Sequence, residues 1–275
     1  MQIRYYFIQI HKNNIQGILM KVVILAGGIG SRLQEETLMK PKPMVEVGGQ
    51  PILCHIMSKY AEYGFNEFVI SLGYKADVIK EYFLNYHFFR NDISIHLKSG
   101  EVVVHNKGCE DWIIHLIDTG LHSETGGRIR RLAHILGNET FMMTYGDGVA
   151  DINIKQLVNF HCSHGKLVTV TAVHPPARFG SLALEERIVT SFAEKLQVGE
   201  GWINGGFFVI EPEALSYIKD DCTPWESEPM DRMVREGQLI AYQHEGFWQC
   251  MDTPRDMKVL EALWSGGQAP WKVQE

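Results

Sequence analysis

The sequence predicts an α/β fold, a mainly parallel sheet sandwiched by helices, with β-hairpin embellishments. Three observations predict it. Short β-rich runs alternate with helical stripes from Met20 onward. Several of those runs are continuously apolar, as strands covered on both faces must be. The connections between them are short, and glycines stop them.

Taken in order, Lys21 to Ala26 (KVVILA) reads as a strand buried on both faces. Pro51 to Tyr63 carries apolar residues at 52, 53, 56, 57 and 60, a helical stripe that Gly64 ends. Glu67 to Leu72 is a second strand, closed by Gly73, and Ala76 to Phe83 a second helix. Residues 91–120 break the rhythm: Ile93–Leu97, Glu101–His105 and Trp112–Leu116 alternate and are separated by turns, so all three are expected as hairpin strands. Phe141–Tyr145 and Val168–Val173 read as further buried strands around a helix, Ile152–Cys162. The proline-bearing C-terminal third mixes strands and short helices.

The chain has 275 residues, with 26 Lys and Arg against 33 Asp and Glu, a net charge of −7. That balance argues against a nucleic-acid partner, whose phosphates require a basic footprint. It does not exclude a small anion, which samples one pocket rather than the whole surface. No apolar run approaches the roughly 20 residues of a membrane span. Five cysteines (54, 109, 162, 222 and 250) form no Cys-x-x-Cys pair, which suits reduced thiols in the cytoplasm. Tyr5–Ile10 is apolar, but His11-Lys12-Asn13-Asn14 ends it before it makes a signal peptide. Residues 1–19 are therefore expected to be an extension outside the fold, and 20–275 a single domain. The extension contributes Arg4 and Lys12 and no acid, so the remainder is more acidic still.

The first strand runs into Leu25-Ala26-Gly27-Gly28-Ile29-Gly30-Ser31-Arg32-Leu33. Glycines at a strand's carboxyl end let backbone N–H groups approach phosphate oxygens. A dinucleotide fingerprint would need a third glycine where Leu33 stands, and a P-loop would need Gly-Lys-Ser/Thr. What remains is a glycine loop with its own cation, Arg32. Ten residues on, Lys40-Pro41-Lys42-Pro43 is expected to hold the backbone extended and fix where Lys42 projects. By spacing alone, Arg32 and Lys42 suit a polyphosphate clamp, and a tight turn with surface cations stays open.

Asp147, between Gly146 and Gly148, follows the strand Phe141–Tyr145, and Asp252 follows a strand over Phe247–Met251. A lone Asp is usually a turn former or a cap. Two after strands, with cations available, suit a magnesium site, since Mg²⁺ takes one or two carboxylates plus substrate oxygens. His161 and His164 lack a third ligand and are expected at a solvated helix end. Cys54 is expected in the core. Trp202, Trp225 and Trp248 suit core packing as well as stacking on a ligand.

The glycine loop followed by Lys-Pro-Lys-Pro-Met resembles the sugar-phosphate nucleotidyltransferases. Further segments narrow the resemblance to their glucose-1-phosphate cytidylyltransferase branch: Thr125–Arg128, Tyr145–Asp151, Pro175–Gly180, Trp202–Phe208, Phe247–Thr253 and Ala269–Lys272. The resemblance runs from Met20 to the end. It implies a Rossmann-like fold of the nucleotide-diphospho-sugar transferase type. It also implies transfer of CMP from CTP to α-D-glucose 1-phosphate with Mg²⁺, in a homo-oligomer that serves CDP-sugar and surface-polysaccharide (O-antigen) formation. The same chemistry with UTP or dTTP, or a non-catalytic nucleotide-sugar-binding subunit, are the alternatives.

Position by position, the resemblance implies that Leu25, Ala26, Gly27, Gly28, Ile29, Gly30 and Ser31, with Ser123, Arg128 and Gly146, hold the nucleotide. It implies that Arg32 and Lys42 act on the reacting phosphates and that Asp147 and Asp252 bind magnesium. Glu194, Lys195, Asn204 and Gly205 would face the sugar phosphate. Two segments depart from the family pattern: Glu194-Lys195 is followed by Leu196 instead of proline, and Asp252-Thr253 by Pro254 and Met257 where the pattern has leucine and lysine.

Overall fold

All four residues of strand β1 (Val22–Leu25) are buried, so it must be covered on both faces, and it lies inside a seven-stranded sheet. The computed structural model describes residues 20–30, 33–105, 108–175, 181–185, 188–193 and 201–273. The other main-sheet strands are β2 (Glu67–Leu72), β3 (Ile113–Asp118), β4 (Phe141–Tyr145), β5 (Val168–Val173), β6 (Ile203–Ile210) and β7 (Leu239–His244). Their spatial order is β7-β5-β6-β4-β1-β2-β3. The pairs β1–β2, β1–β4, β2–β3 and β5–β7 are parallel, and β6 runs antiparallel between β4 and β5.

The six principal helices are α1 (Ile52–Ala61), α2 (Ala76–Leu84), α3 (Thr125–Arg131), α4 (Ile154–His164), α5 (Glu228–Arg235) and α6 (Pro254–Ser265). Alternate residues of each strand feed separate layers. Val22 and Ile24 join α1, α2, α4 and α6 in one core; Val23 and Leu25 join α3 and α5 in the other. The sandwich read from the sequence is therefore present, and Cys54 lies fully buried in α1.

One strand belongs elsewhere than expected. Asp92–His96 and Glu101–His105 do form an antiparallel hairpin. The third segment instead pairs in parallel with β2, Glu67 opposite Ile113. It is the sheet's edge, and an edge strand is half exposed, so its alternation is that of a hairpin strand. The histidines of α4 also differ from expectation. His161 is buried, its ring nitrogens meeting Thr169 Oγ1 at 2.8 Å and Glu211 Oε1 at 3.2 Å, and His164 reaches the same threonine at 2.7 Å. They form a structural polar cluster that ties α4 to β5.

Candidate active site

The chain leaves β1 for β2 and β3 on one side and returns to β4 on the other. That reversal opens a crevice at the strands' carboxyl ends, where α/β sheets bind ligands. Ala26 N donates to Ser71 O of β2, and Gly146 N donates to Leu25 O (both 3.0 Å), so the loops after β1 and β4 leave the sheet side by side. A Cβ on Gly146 would stand 2.9 Å from Pro43 Cγ; only glycine admits that approach.

The crevice holds a cavity of about 280 Å³. The glycine-loop residues Leu25 to Gly28 and Gly30 form one wall, and Lys42, Gly146 and Asp147 line it. Ser123 and Arg128, from α3 and the loop before it, form another. Ile29 turns outward and is 56% exposed. Gly30 has φ +67°, its carbonyl accepting from Leu33 N and Thr37 Oγ1. Ser31, Arg32, Glu194 and Lys195 lie outside the described residues.

Arg128 is buried behind the glycine loop. Its guanidinium donates to the carbonyls of Gly27, Leu72, Gly120 and Leu121 and to Thr119 Oγ1, at 2.8–3.3 Å. Burial pulls its pKa below the usual arginine value. This one side chain fixes the loop after β1 to the end of β2 and to residues 119–121.

Lys42 projects from a 3-10 turn, Lys42–Met44. Pro41 before it is extended, as expected, but Pro43 lies within the turn, where its missing N–H costs no hydrogen bond. The Lys42 ammonium donates to Asp147 Oδ2 at 2.6 Å and to Asp252 Oδ1. Burial works against the charge, but the two carboxylates outweigh it and hold Lys42 above its ordinary value.

A two-stranded ribbon brings those aspartates together: Trp248, Gln249 and Cys250 pair antiparallel with Ala150, Val149 and Gly148. Met251 N then donates to Asp147 O at 2.8 Å. Asp252 is held at the mouth of α6 by a capping box. Thr253 Oγ1 accepts from Asp256 N, and Asp256 Oδ2 accepts from the backbone of Thr253 and Asp252. Pro254 fills the first helical turn, so the chain's departure from the family pattern there leaves a well-formed helix start. Asp147 and Asp252 each direct an oxygen at one cation, Lys42. Among the described residues no group of three or more His, Cys, Asp or Glu is arranged to hold a metal ion. Two hard oxygen donors converging at the cavity's edge would fit magnesium, whose remaining ligands would be substrate oxygens and water.

Asn204 and Gly205, expected to face the sugar phosphate, lie near the start of β6. Asn204 Nδ2 donates to Tyr145 Oη at 3.3 Å, and Trp248 Nε1 donates to Gly205 O at 2.7 Å. Of the tryptophans left open by the sequence, Trp225 is core, Trp248 braces Gly205, and Trp202 lies on the His174 ring with centroids 4.0 Å apart. Sequence reasoning gave no role to Thr125, Tyr145 or Glu226. Thr125 and Tyr145 line the cavity, and both donate to the Glu226 carboxylate. The first two stand in quoted motifs, but nothing in the sequence marks Glu226. No described helix is long and apolar enough to cross a membrane.

A family model described as nucleotidyl transferase matches residues 21–257. The glucose-1-phosphate cytidylyltransferases of Salmonella typhi and Salmonella typhimurium are each 51% identical over 257 residues, 93% of this chain and all of theirs. Among solved structures, HddC from Yersinia pseudotuberculosis superposes with TM-score 0.65 at 23% identity, over 89% of this chain and 99% of that one. It shares the fold. With the glycine loop, Lys42 and the paired aspartates gathered at one switch point, the chain belongs to the nucleotidyl transferase family, in its glucose-1-phosphate cytidylyltransferase branch.

Proposed function

We propose that the protein transfers CMP from CTP to α-D-glucose 1-phosphate, releasing CDP-glucose and pyrophosphate. The observation that carries this reading is Lys42 held between Asp147 and Asp252 beside the glycine-loop cavity. The identity to the two Salmonella cytidylyltransferases selects the nucleotide.

A sugar phosphate is already an anion, so the reaction needs no base to create its nucleophile. Its obstacle is the approach of one anion to another. The sugar-phosphate oxygen attacks the α-phosphorus in line, and the bond from that phosphorus to the β-phosphate's bridging oxygen breaks. The backbone N–H groups of the glycine loop hold the triphosphate, and Arg128 keeps that loop in place. Lys42, released from its carboxylates, follows the charge that moves onto pyrophosphate. Asp147 and Asp252 would hold Mg²⁺, which when bound neutralises phosphate charge. Asn204 and Gly205 face the sugar phosphate, joined by Glu194 and Lys195, and Arg32 adds its charge to the phosphates.

The resemblance also carries the expectation of a cytoplasmic homo-oligomer that supplies CDP-linked sugars for surface polysaccharide. The test of the reaction is pyrophosphate release with glucose 1-phosphate and CTP, UTP, ATP, GTP or dTTP in turn. CTP should be turned over fastest; equal or faster turnover of UTP or dTTP overturns the assignment.

A further inference from the structure

The loop before α5 is docked against α3 with unusual closeness. A Cβ on Gly126 or Gly127 would collide with the carbonyls of Thr223 and Asp221. Glu124 N donates to Asp221 O at 2.9 Å, Gly127 N to Thr223 O at 3.2 Å, and Trp225 N to Thr125 Oγ1 at 2.8 Å. Trp225 is fully buried beneath. The residue this anchoring delivers beside Thr125 and Tyr145, which line the cavity, is Glu226.

Its carboxylate accepts two hydrogen bonds, one from Thr125 Oγ1 at 2.5 Å and one from the Tyr145 hydroxyl. The direction of every hydrogen in the chain beyond is then determined. Gly206 N is a donor, 2.8 Å from the Asn204 side chain, so the atom facing it must be Oδ1. The Asn204 amide therefore turns Nδ2 to Tyr145 Oη. That hydroxyl accepts from Asn204 while its own proton points to Glu226, and a carboxylate, being acceptor-only, holds the proton turned that way. Gly206 has φ +81°, and a Cβ there would lie 2.5 Å from the Tyr145 ring. The backbone that orients Asn204 is thus itself fitted to the tyrosine.

We propose that Glu226 is a positioning residue for the sugar phosphate, acting through the Tyr145 hydroxyl to fix the rotamer and amide orientation of Asn204. The chain crosses from the nucleotide cavity, which Tyr145 lines, to the sugar side. The inference rests on Asn204 facing the sugar phosphate, as in the proposed function.

The experiment compares wild type with Tyr145→Phe, Glu226→Ala, Glu226→Gln and the Tyr145→Phe/Glu226→Ala pair. KM for glucose 1-phosphate and for CTP are measured separately. Phe and Ala variants should each raise the sugar-phosphate KM about tenfold, the loss of roughly one hydrogen bond, with the CTP KM within about twofold. Glu226→Gln keeps an acceptor for the tyrosine proton and should restore most of the sugar-phosphate KM. The double variant should be no worse than either single one, because both break one chain. Equal rises in both KM values, no rescue by glutamine, or additive losses would overturn the relay. A wild-type protein inactive with glucose 1-phosphate and CTP would overturn the proposed function instead, so the two failures are distinct.

Discussion

Lys42 Nζ lies 2.6 Å from Asp147 Oδ2, although 105 positions separate the two residues in the chain. The same ammonium also meets Asp252, 210 positions away. Three segments thus meet at one charge: a turn after β1, the loop after β4 and the mouth of α6. Both carboxylates turn an oxygen to that one ammonium, and this convergence supports the magnesium site proposed there.

Asp147→Asn replaces one carboxylate of the proposed magnesium site with a neutral amide. The magnesium concentration for half-maximal rate should rise by about tenfold or more, since even indirect support of a metal site is worth that. Titration with MgCl₂ at saturating substrates measures it, and an unchanged midpoint removes Asp147 from the metal site.

Arg128 donates to five acceptors on three segments, a pattern that a single ammonium cannot reproduce. Arg128→Lys should lose about 2–4 kcal/mol in urea unfolding, the range for breaking a buried hydrogen-bonded charge, and raise the CTP KM. Gly27→Ala places a Cβ against the same guanidinium and should weaken CTP binding similarly. Gly28→Ala meets nothing within 4 Å and should leave the unfolding midpoint where it is.

Glu211 predicts a pH effect away from the site. Burial would raise its pKa, but hydrogen bonds from His161 and Thr140 outweigh this and hold it below the ordinary carboxylate value of 4.5. A depressed carboxylate contributes stability above its unfolded pKa and loses it as pH falls through the folded one. Thermal melts from pH 7 to 3 should therefore show a shallower acid limb below about pH 4.5 in Glu211→Gln than in wild type. Parallel curves would show that Glu211 contributes nothing there.

Much of this arrangement is written in local pattern. Glu67–Leu72 and Val168–Val173 appear in the structure with the bounds that their apolar runs suggest. The helix predicted over 51–63 occupies Ile52–Ala61. Pairing partners are another matter. Alternation shows that Ile113–Asp118 is a half-exposed strand but not which neighbour it joins, because a parallel partner lies 46 positions back. Strand β6 escaped because Gly205 and Gly206 interrupt its pattern. Those glycines are there for contact: a Cβ on Gly205 would strike Val173, and Gly206 lies on Tyr145. Lys42, Asp147 and Asp252 were legible through motif resemblance. Their mutual contact is tertiary, and Glu226 carries no motif at all.

The most direct test is the single-turnover rate of Lys42→Ala with saturating CTP, glucose 1-phosphate and Mg²⁺, after circular dichroism has established native folding. Lys42 as the cation that follows charge onto pyrophosphate predicts a loss of about 10²–10³ or more, the scale of one preorganised electrostatic group. A folded Lys42→Ala protein within about threefold of the wild-type rate would contradict it.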